Sequence, residues 1–262
     1  MGSRNPNARR WAAYGIGLLI VGGVVAFADW QKIGHAYFDA DLIRDQFPEV
    51  VTTAAKNTVI YTVFSFVGGV ILGTSAALLR LSSIRPYRWV ATVYIEVFRG
   101  LPALLTIILV GFMTPIALDI TFPRIWGVTT AGIAGLSLVA GAYLAETVRA
   151  GVEAVPKGQI EAARSLGMSR ATTMRTVVVP QAFRIVIPPL TNELVLLLKD
   201  TSLLAVLGVT IADKELTKFG RDASGVAFNS TPLVVAGFMY LVITIPLTRL
   251  VAVLERRNAK AR

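Results

Sequence analysis

The sequence predicts an all-α polytopic membrane protein with about six transmembrane helices. Two observations lead to this fold class. Of the 262 residues, 54% are hydrophobic, and apolar runs close to the roughly 20 residues that cross a bilayer recur along the chain. Because backbone polar groups find no water in lipid, each run is expected to form a helix that satisfies its own hydrogen bonds.

Each apolar run defines one expected span. The first run is interpreted as a retained helix, because it is longer than the apolar region of a usual signal peptide. In the second run, Gly68, Gly69 and Gly73 leave room for another helix to cross closely. The spans are expected at residues 11–28, 57–79, 89–118, 126–150, 183–211 and 232–254.

The charged residues alternate in sign from loop to loop, and this alternation predicts the orientation. Basic residues precede the first span, fill the loops after the second and fourth spans, and end the chain, whereas the loop after the first span is acidic. The positive-inside rule therefore places both termini and the loop near 153–180 in the cytoplasm. This topology accounts for the net charge of +10, and there is no soluble basic domain to hold a nucleic acid.

A short amphipathic helix is predicted between the fourth and fifth spans, at residues 159–167. Pro156 prevents an extended helix upstream, and Gly167 suits the position just after a helix end. Ile160, Ala163 and Leu166 recur at a three-residue spacing and form one apolar stripe. We expect this stripe to dock on a partner protein; the alternative is an ordinary connector between helices.

This segment resembles the EAA loop of bacterial ABC importer permeases, which docks on a cytoplasmic ATP-binding subunit. The matching residues are Glu161, Ala162, Ala163, Gly167 and Pro180, with Val177 and Val179 in place of Ile and Leu. The resemblance implies that the loop, including Arg164, couples transport to ATP hydrolysis. ATP and Mg are then expected on a partner ATPase, since this chain has no Gly-x-x-x-x-Gly-Lys-Ser/Thr motif.

Four further stretches, at residues 94–102, 141–146, 155–159 and 196–204, resemble the polar amino-acid uptake permeases. The cargo of that family includes histidine, glutamine, glutamate and arginine. The resemblance implies a type I ABC permease domain with a five-helix core at 46–255. Residues 1–45 would then be a cytoplasmic tail, an additional helix and an outer loop, and residues 256–262 a basic cytoplasmic tail.

The resemblance also implies an assembly in the bacterial plasma membrane. Its other members would be a cytoplasmic ATPase dimer, a second permease subunit of the same or a homologous sequence, and an extracytoplasmic amino-acid-binding protein. The alternative is an ATP-independent channel or secondary carrier that uses intramembrane charges for ion coupling. The EAA loop favours the importer, because a carrier has no reason to present such a helix to a soluble ATPase.

The sequence contains no catalytic or metal-binding constellation, so an enzyme is not expected. There is no cysteine, and the single histidine, His35, stands in the outer loop without a second ligand at a metal-binding spacing. No nucleophile, base and orienting residue occur together. ATP hydrolysis is therefore assigned to the partner.

Charged residues inside the expected spans are candidates for the substrate path, because a charge in hydrocarbon is costly unless it faces a partner or water. Arg99 stands three residues after Glu96, so the two either neutralise each other or act in gating. Gly100 and Pro102 are expected to break that helix, and the pair Pro188 and Pro189 to interrupt the fifth span. The path candidates are Arg99, Thr106, Asn192, Glu193, Lys199, Asp200, Thr201 and Ser202.

Two interpretations of Glu193 stay open from the sequence. In the first, Glu193 accepts from the ammonium of an amino acid, while Asn192, Thr201 and Ser202 contact its carboxylate. In the second, Glu193, Lys199 and Asp200 form a structural ion network between helices. Thr106 and Val139 stand where related permeases commonly carry amide side chains, so a further alternative is that a paired, different permease holds the substrate site.

Overall fold

The computed structural model describes residues 6–208 and 210–260, and helices dominate this part of the chain. Its α-helices are α1 (Pro6–Phe27), α2 (Trp30–Tyr37), α3 (Ala40–Asp45), α4 (Lys56–Arg80), α5 (Arg85–Gly100), α6 (Ala103–Ile108), α7 (Thr114–Leu118), α8 (Thr130–Glu153), α9 (Lys157–Ser165), α10 (Arg170–Thr173), α11 (Val179–Asp200), α12 (Leu216–Ala227) and α13 (Thr231–Lys260). Wider π-helical turns at Val50–Ala55, Leu109–Met113 and Met174–Val178 and 3₁₀ turns at Thr201–Val206 and Ile211–Asp213 extend or link them.

The number of membrane helices agrees with the prediction. Among the described residues, five helices are long and apolar enough to cross a membrane, or six when one bent helix pair is counted as a span. The spans expected at 11–28, 57–79 and 232–254 coincide with α1, α4 and α13 within a few residues at their starts.

The third expected span, 89–118, is not one continuous helix. α5 ends at Gly100, Leu101 is extended, and α6 begins at Ala103 after a bend of 109°. Pro102 occupies the position before the new helix, where its missing N–H costs nothing. The break predicted from Gly100 and Pro102 is therefore confirmed, while the single straight span is wrong.

The fourth expected span, 126–150, starts too early. The chain first forms a two-stranded antiparallel hairpin, β1 (Arg124–Ile125) and β2 (Val128–Thr129), and α8 begins only at Thr130. Trp126 and Gly127 make the two-residue turn with φ of 54° and 91°, the positive values that such a tight hairpin requires. This hairpin, named the outer hairpin below, is a small exception to the all-helical prediction.

The expected interruption of the fifth span at Pro188 and Pro189 is also wrong. α11 runs without a break from Val179 to Asp200, because the fixed φ of proline near −65° is compatible with a helix and membrane helices tolerate the lost hydrogen bonds. The hydroxyl of Thr191 donates to the Pro188 carbonyl at 2.7 Å. The helix also ends earlier than residue 211, since the 3₁₀ turn begins at Thr201.

The centre of the bundle is the crossing of α4 and α8, which small residues make possible. A Cβ atom on Gly73 would lie 2.7 Å from the Cβ of Leu144, and one on Gly141 would lie 2.5 Å from the hydroxyl of Tyr94. Both distances are far inside van der Waals contact, so only glycine fits. The close packing predicted from the glycines of the second span is confirmed.

The first helix, α1, makes little contact with this bundle in the described residues. In the apolar stretch of α1, Arg9–Phe27, no described residue is buried. The next helix, α2, is hydrogen-bonded to the turn before α13. The Asn229 side chain donates to the His35 carbonyl at 2.7 Å, and the Ser230 N–H donates to the Ala36 carbonyl at 3.0 Å. The His35 residue is exposed, as predicted.

Candidate coupling surface and membrane cavity

The predicted coupling helix forms as α9, close to the end of α8. Pro156 precedes its first turn, as the sequence predicted. With 24 residues at about 1.5 Å each, α8 separates this helix from the outer hairpin by roughly 36 Å, which is more than the thickness of a hydrocarbon core. The two features therefore lie at opposite ends of the bundle.

The coupling helix ends in a complete Schellman motif. The Gly167 N–H donates to the Arg164 carbonyl at 3.0 Å, and the Met168 N–H donates to the Ala163 carbonyl at 3.2 Å. Gly167 has a φ of +83°, which side chains with a Cβ adopt only with strain. The assignment of Gly167 as the residue after the helix end is thus confirmed.

The apolar stripe predicted for this helix is divided between two faces, which corrects the sequence interpretation. Ala163 is buried and Ile160 packs beside Val178 and Val155, so this face attaches the helix to the permease itself. Leu166 instead is 81% exposed. The three-residue spacing did not place the three side chains on one face, because the helix is short. Leu166 already lies at its C-cap, where the chain turns away.

The free face of the coupling helix therefore keeps Leu166 of the predicted stripe but not Ile160 and Ala163. Glu161, Ala162, Arg164 and Gly167 are exposed, and Leu166 stands one turn after Ala162. We call Glu161, Ala162 and Leu166 the coupling face. It offers a small side chain, a large apolar one and a carboxylate to a partner.

An ion-pair cluster near the coupling helix was not singled out from the sequence. Glu146 on α8 binds Arg80 at the end of α4 through one oxygen and Arg149 through the other, the latter at 2.7 Å. Arg149 also contacts Glu153 at 2.5 Å. The three-residue spacing of Glu146 and Arg149 is a visible signal, but the link to Arg80 depends on the α4–α8 crossing.

A cavity of about 200 Å³ lies between α6, α8 and α11, and we call it the central cavity. Glu193 and Asp200 both line it, together with Tyr143 and otherwise apolar side chains. Of the described residues that line it, none is basic. Neither carboxylate has a cationic partner within 4 Å in the described part of the chain, so the structure does not contain the ion network that the sequence left open.

The other path candidates lie outside this lining. Asn192 and Lys199 are exposed on α11, and Ser202 is partly exposed. Thr201 is fully buried and its hydroxyl donates to the Leu198 carbonyl at 2.7 Å. Val139 and Thr106 are the two positions where the sequence lacks the amide side chains of related permeases. Val139 lines the central cavity. Thr106 is buried beside a separate apolar cavity of about 460 Å³.

Arg99 and Glu96 do not form the pair that their spacing allows. Glu96 lies 3.9 Å from Arg80, while the guanidinium of Arg99 lies over the ring of Tyr143, 5.6 Å from its centroid. Tyr143 lines the central cavity, so Arg99 lies at the margin of this cavity. The break between α5 and α6 follows directly after Arg99. Among the described residues there is no group of three or more side chains suited to hold a metal ion.

Residues 69–260 match the family described as the binding-protein-dependent transport system inner membrane component. The chain belongs to this family. The match covers the coupling helix and every helix that lines the central cavity. Family membership identifies a multi-pass permease subunit of an ABC importer in the plasma membrane, with the ATPase as a separate subunit, and it decides against an ATP-independent carrier.

Relatives cover most of the chain. The L-cystine transport system permease protein TcyB of Bacillus subtilis is 35% identical over 224 residues, which are 83% of this chain and 90% of the relative. The arginine transport system permease protein ArgU of Corynebacterium glutamicum is 34% identical over 248 residues, which are 90% of this chain and 75% of the relative. These names indicate permeases of amino-acid importers.

Solved structures agree on the fold. A crystal structure described as an amino acid ABC transporter with histidines has a TM-score of 0.74 and 34% identity, and it covers 84% of this chain and 98% of its own. The MetNI methionine ABC transporter, at 18% identity and a TM-score of 0.67, supports the fold alone. The family permease therefore has the predicted type I fold.

Proposed function

We propose that this permease imports amino acids that carry an extra positive charge, with arginine as the model cargo. In this proposal the central cavity holds the cargo during transport, and the coupling face receives the ATPase. The observation that carries the choice of cargo is the pair of carboxylates, Glu193 and Asp200, which line one membrane cavity without a cation in contact.

The electrostatic argument is direct. Two carboxylates in a low-dielectric site repel each other and lose hydration, and this arrangement is tolerated where a cation from outside completes it. A guanidinium or ammonium side chain provides that charge. A cargo with a net negative charge would meet the same two carboxylates as a barrier. Two relatives named as arginine permeases support this choice.

The coupling face supports the proposed energy source. Its helix is held to the permease by Ile160 and Ala163 and ended by a Schellman motif, so it can transmit force as a fixed body. Ala162 and Leu166 remain free to enter a groove on an ATPase. ATP and Mg would then be bound by that partner and not by this chain.

The remaining parts of the proposal follow from topology. Both termini and the coupling helix would be cytoplasmic, although residues 1–5 and 261–262 lie outside the described residues. The transport domain would span 46–255, after the N-terminal tail, helix and outer loop at 1–45 and before the basic tail at 256–262. A second permease subunit, an ATPase dimer and an extracytoplasmic binding protein would complete the assembly.

The test compares Glu193→Gln with the unaltered permease in liposomes that contain the ATPase and the binding protein. Loss of one charge-assisted hydrogen bond, worth roughly 1.5–3 kcal/mol, is expected to weaken the apparent affinity for arginine by about 10- to 100-fold. Competition with glutamate and glutamine during uptake measures the charge preference.

The matched control is Glu49→Gln, which makes the same chemical change at an exposed side chain that does not line the central cavity. It is expected to leave uptake unchanged. Melting temperatures of all complexes show whether assembly is intact. If Glu193→Gln transports arginine normally, or if glutamate competes as well as arginine, the proposed cargo site is wrong.

A further inference from the structure

A second cavity lies at the end of the bundle that is opposite the coupling helix. It measures about 180 Å³ and we call it the outer cavity. The outer hairpin forms one wall, and the segment after α11 forms another. The size is below the roughly 300–1,000 Å³ of pockets for drug-sized ligands, so it suits a small polar group.

The outer cavity contains one cation and one anion. Arg124 on the hairpin contacts Asp213 at 2.9 Å, from its Nη2 atom to the Oδ2 atom of the carboxylate. The same Oδ2 atom accepts from the hydroxyl of Thr210 at 3.2 Å. The arginine side chain is half exposed, whereas Asp213 is only 1% exposed.

The carboxylate of Asp213 is incompletely satisfied. Its Oδ1 atom is buried and has no hydrogen-bond partner among the described residues. A buried carboxylate oxygen without a donor is costly, and such groups in folded proteins usually have a partner. The unpartnered oxygen leaves the carboxylate of Asp213, a residue that lines the outer cavity, with spare acceptor capacity.

The segment that carries Asp213 is attached to α4 by hydrogen bonds. The Asn57 side chain donates to the carbonyls of Ala212 and Lys214 at 2.7 and 3.0 Å. Next to them, Leu216 N–H donates to the Thr58 hydroxyl at 3.1 Å. Both anchoring residues lie on α4, which forms the centre of the bundle.

An apolar layer separates the outer cavity from the central one. Leu207 lines the outer cavity and Leu136 lines the central cavity, and both belong to one buried cluster with Leu204 and Tyr61. Along α8, the nearest lining residues of the two cavities, Ala131 and Leu136, are five positions apart, which is about 7.5 Å. The two cavities are therefore stacked, with apolar side chains between them.

We propose that the outer cavity is a separate binding site for the zwitterionic head of an amino acid, where Arg124 takes the α-carboxylate and Asp213 takes the α-ammonium. The head of an amino acid carries one charge of each sign. It can therefore replace the ion pair between Arg124 and Asp213 by two ion pairs, one between Arg124 and its carboxylate and one between Asp213 and its ammonium. Its ammonium also supplies the donor that Asp213 Oδ1 lacks.

This inference rests on the proposed function, because the ligand of the outer cavity is the cargo of the permease. It divides recognition between two places: the outer cavity binds the head, which all amino acids share, and the central cavity selects the charge of the side chain. Cargo bound at the outer cavity would wait above the apolar layer until that layer opens.

A local probe tests this site apart from transport. The chain has no cysteine, so Ile125→Cys, next to Arg124, gives a unique attachment point for an environment-sensitive fluorophore. The labelled permease is assembled with its ATPase in nanodiscs without binding protein. It is then titrated with L-arginine and with agmatine, which has the same side chain but no carboxylate.

Arginine is expected to change the fluorescence in a saturable way, and Arg124→Gln should shift the midpoint by roughly tenfold or more, because a charge-assisted contact is lost. Agmatine should have the same midpoint with and without this substitution. Arg124→Lys keeps the charge and should give an intermediate midpoint, which guards against misfolding of the first variant.

An unchanged midpoint in Arg124→Gln, or an equal shift for agmatine, would mean that Arg124 and Asp213 only close the hairpin and would overturn the proposal. The absence of a saturable signal in a complex that imports arginine would overturn it as well. Failure of the proposed function is a different result: uptake of arginine is then missing in the complete system, whatever the probe at the hairpin reports.

Discussion

Leu166 provides the most direct test of how the permease meets its ATPase. Its side chain is 81% exposed, and it lies at the C-cap of the coupling helix. Full burial of a leucine in an interface contributes roughly 1.5–3 kcal/mol. Leu166→Ser is therefore expected to weaken binding of the ATPase by about 10- to 100-fold for each coupling helix. The permease alone should be unaffected within about 0.5 kcal/mol, since an exposed side chain is replaced.

The assay measures equilibrium binding of the purified ATPase to the permease in nanodiscs, followed by ATP hydrolysis in the presence of cargo-loaded binding protein. Val226→Ser is the matched control, because Val226 is 84% exposed on α12, at the other end of the bundle. It removes a similar apolar surface and should not change ATPase binding. Normal affinity in Leu166→Ser, or equal losses in both variants, would refute the coupling face defined here.

Three further predictions use other parts of the structure. Gly167→Val forces a residue with a side chain into a left-handed φ at a cost of about 1–2 kcal/mol, so ATPase binding should weaken. Gly158→Ala is the control, because a Cβ at Gly158 meets open space, and it should retain ATPase binding. Asp41→Cys should react with an impermeant maleimide in intact cells, and a coupling-helix cysteine at position 166 should react only after lysis; the reverse pattern would invert the topology. Burial raises the pKa of Glu215 above its ordinary 4.5, so its stabilising contribution is lost as pH rises through the raised value. Between pH 4.5 and neutral pH, the melting temperature of Glu215→Gln should therefore fall less than that of the unaltered permease. An equal fall in both proteins would contradict this prediction.

Much of the architecture was accessible from sequence because hydrophobic length and proline chemistry act locally. The apolar runs predicted the number of membrane helices, and Gly100 with Pro102 predicted the break between α5 and α6. The same local reasoning failed at Pro188 and Pro189, because a proline can be accommodated when its φ fits the helix and the neighbouring turns adjust. Proline alone does not distinguish a break from a tolerated position.

The site was predicted less completely, because a cavity depends on contacts between helices that are distant in sequence. Glu193 and Asp200, which line the central cavity, were singled out from the sequence because a charge in an apolar run is conspicuous. Tyr143 was not identified as a lining residue, because its side of α8 is defined only by its packing on α11. The Arg124 and Asp213 pair was missed for the same reason: the residues are far apart in sequence, and each stands in a loop.

The placement of α8 explains how one helix can serve both recognition and coupling. Val139 and Tyr143 on α8 line the central cavity, and the same helix ends just before the coupling helix. Between these points Glu146 ties α8 to Arg80, so a displacement at the coupling face reaches α4 without passing through flexible chain. A motion of the ATPase would therefore move α4 and α8 as one body past α11, which carries Glu193 and Asp200 on the opposite wall of the cavity. Under the proposed function, cargo binding and ATPase motion would then act on the same boundary, the one between α8 and α11.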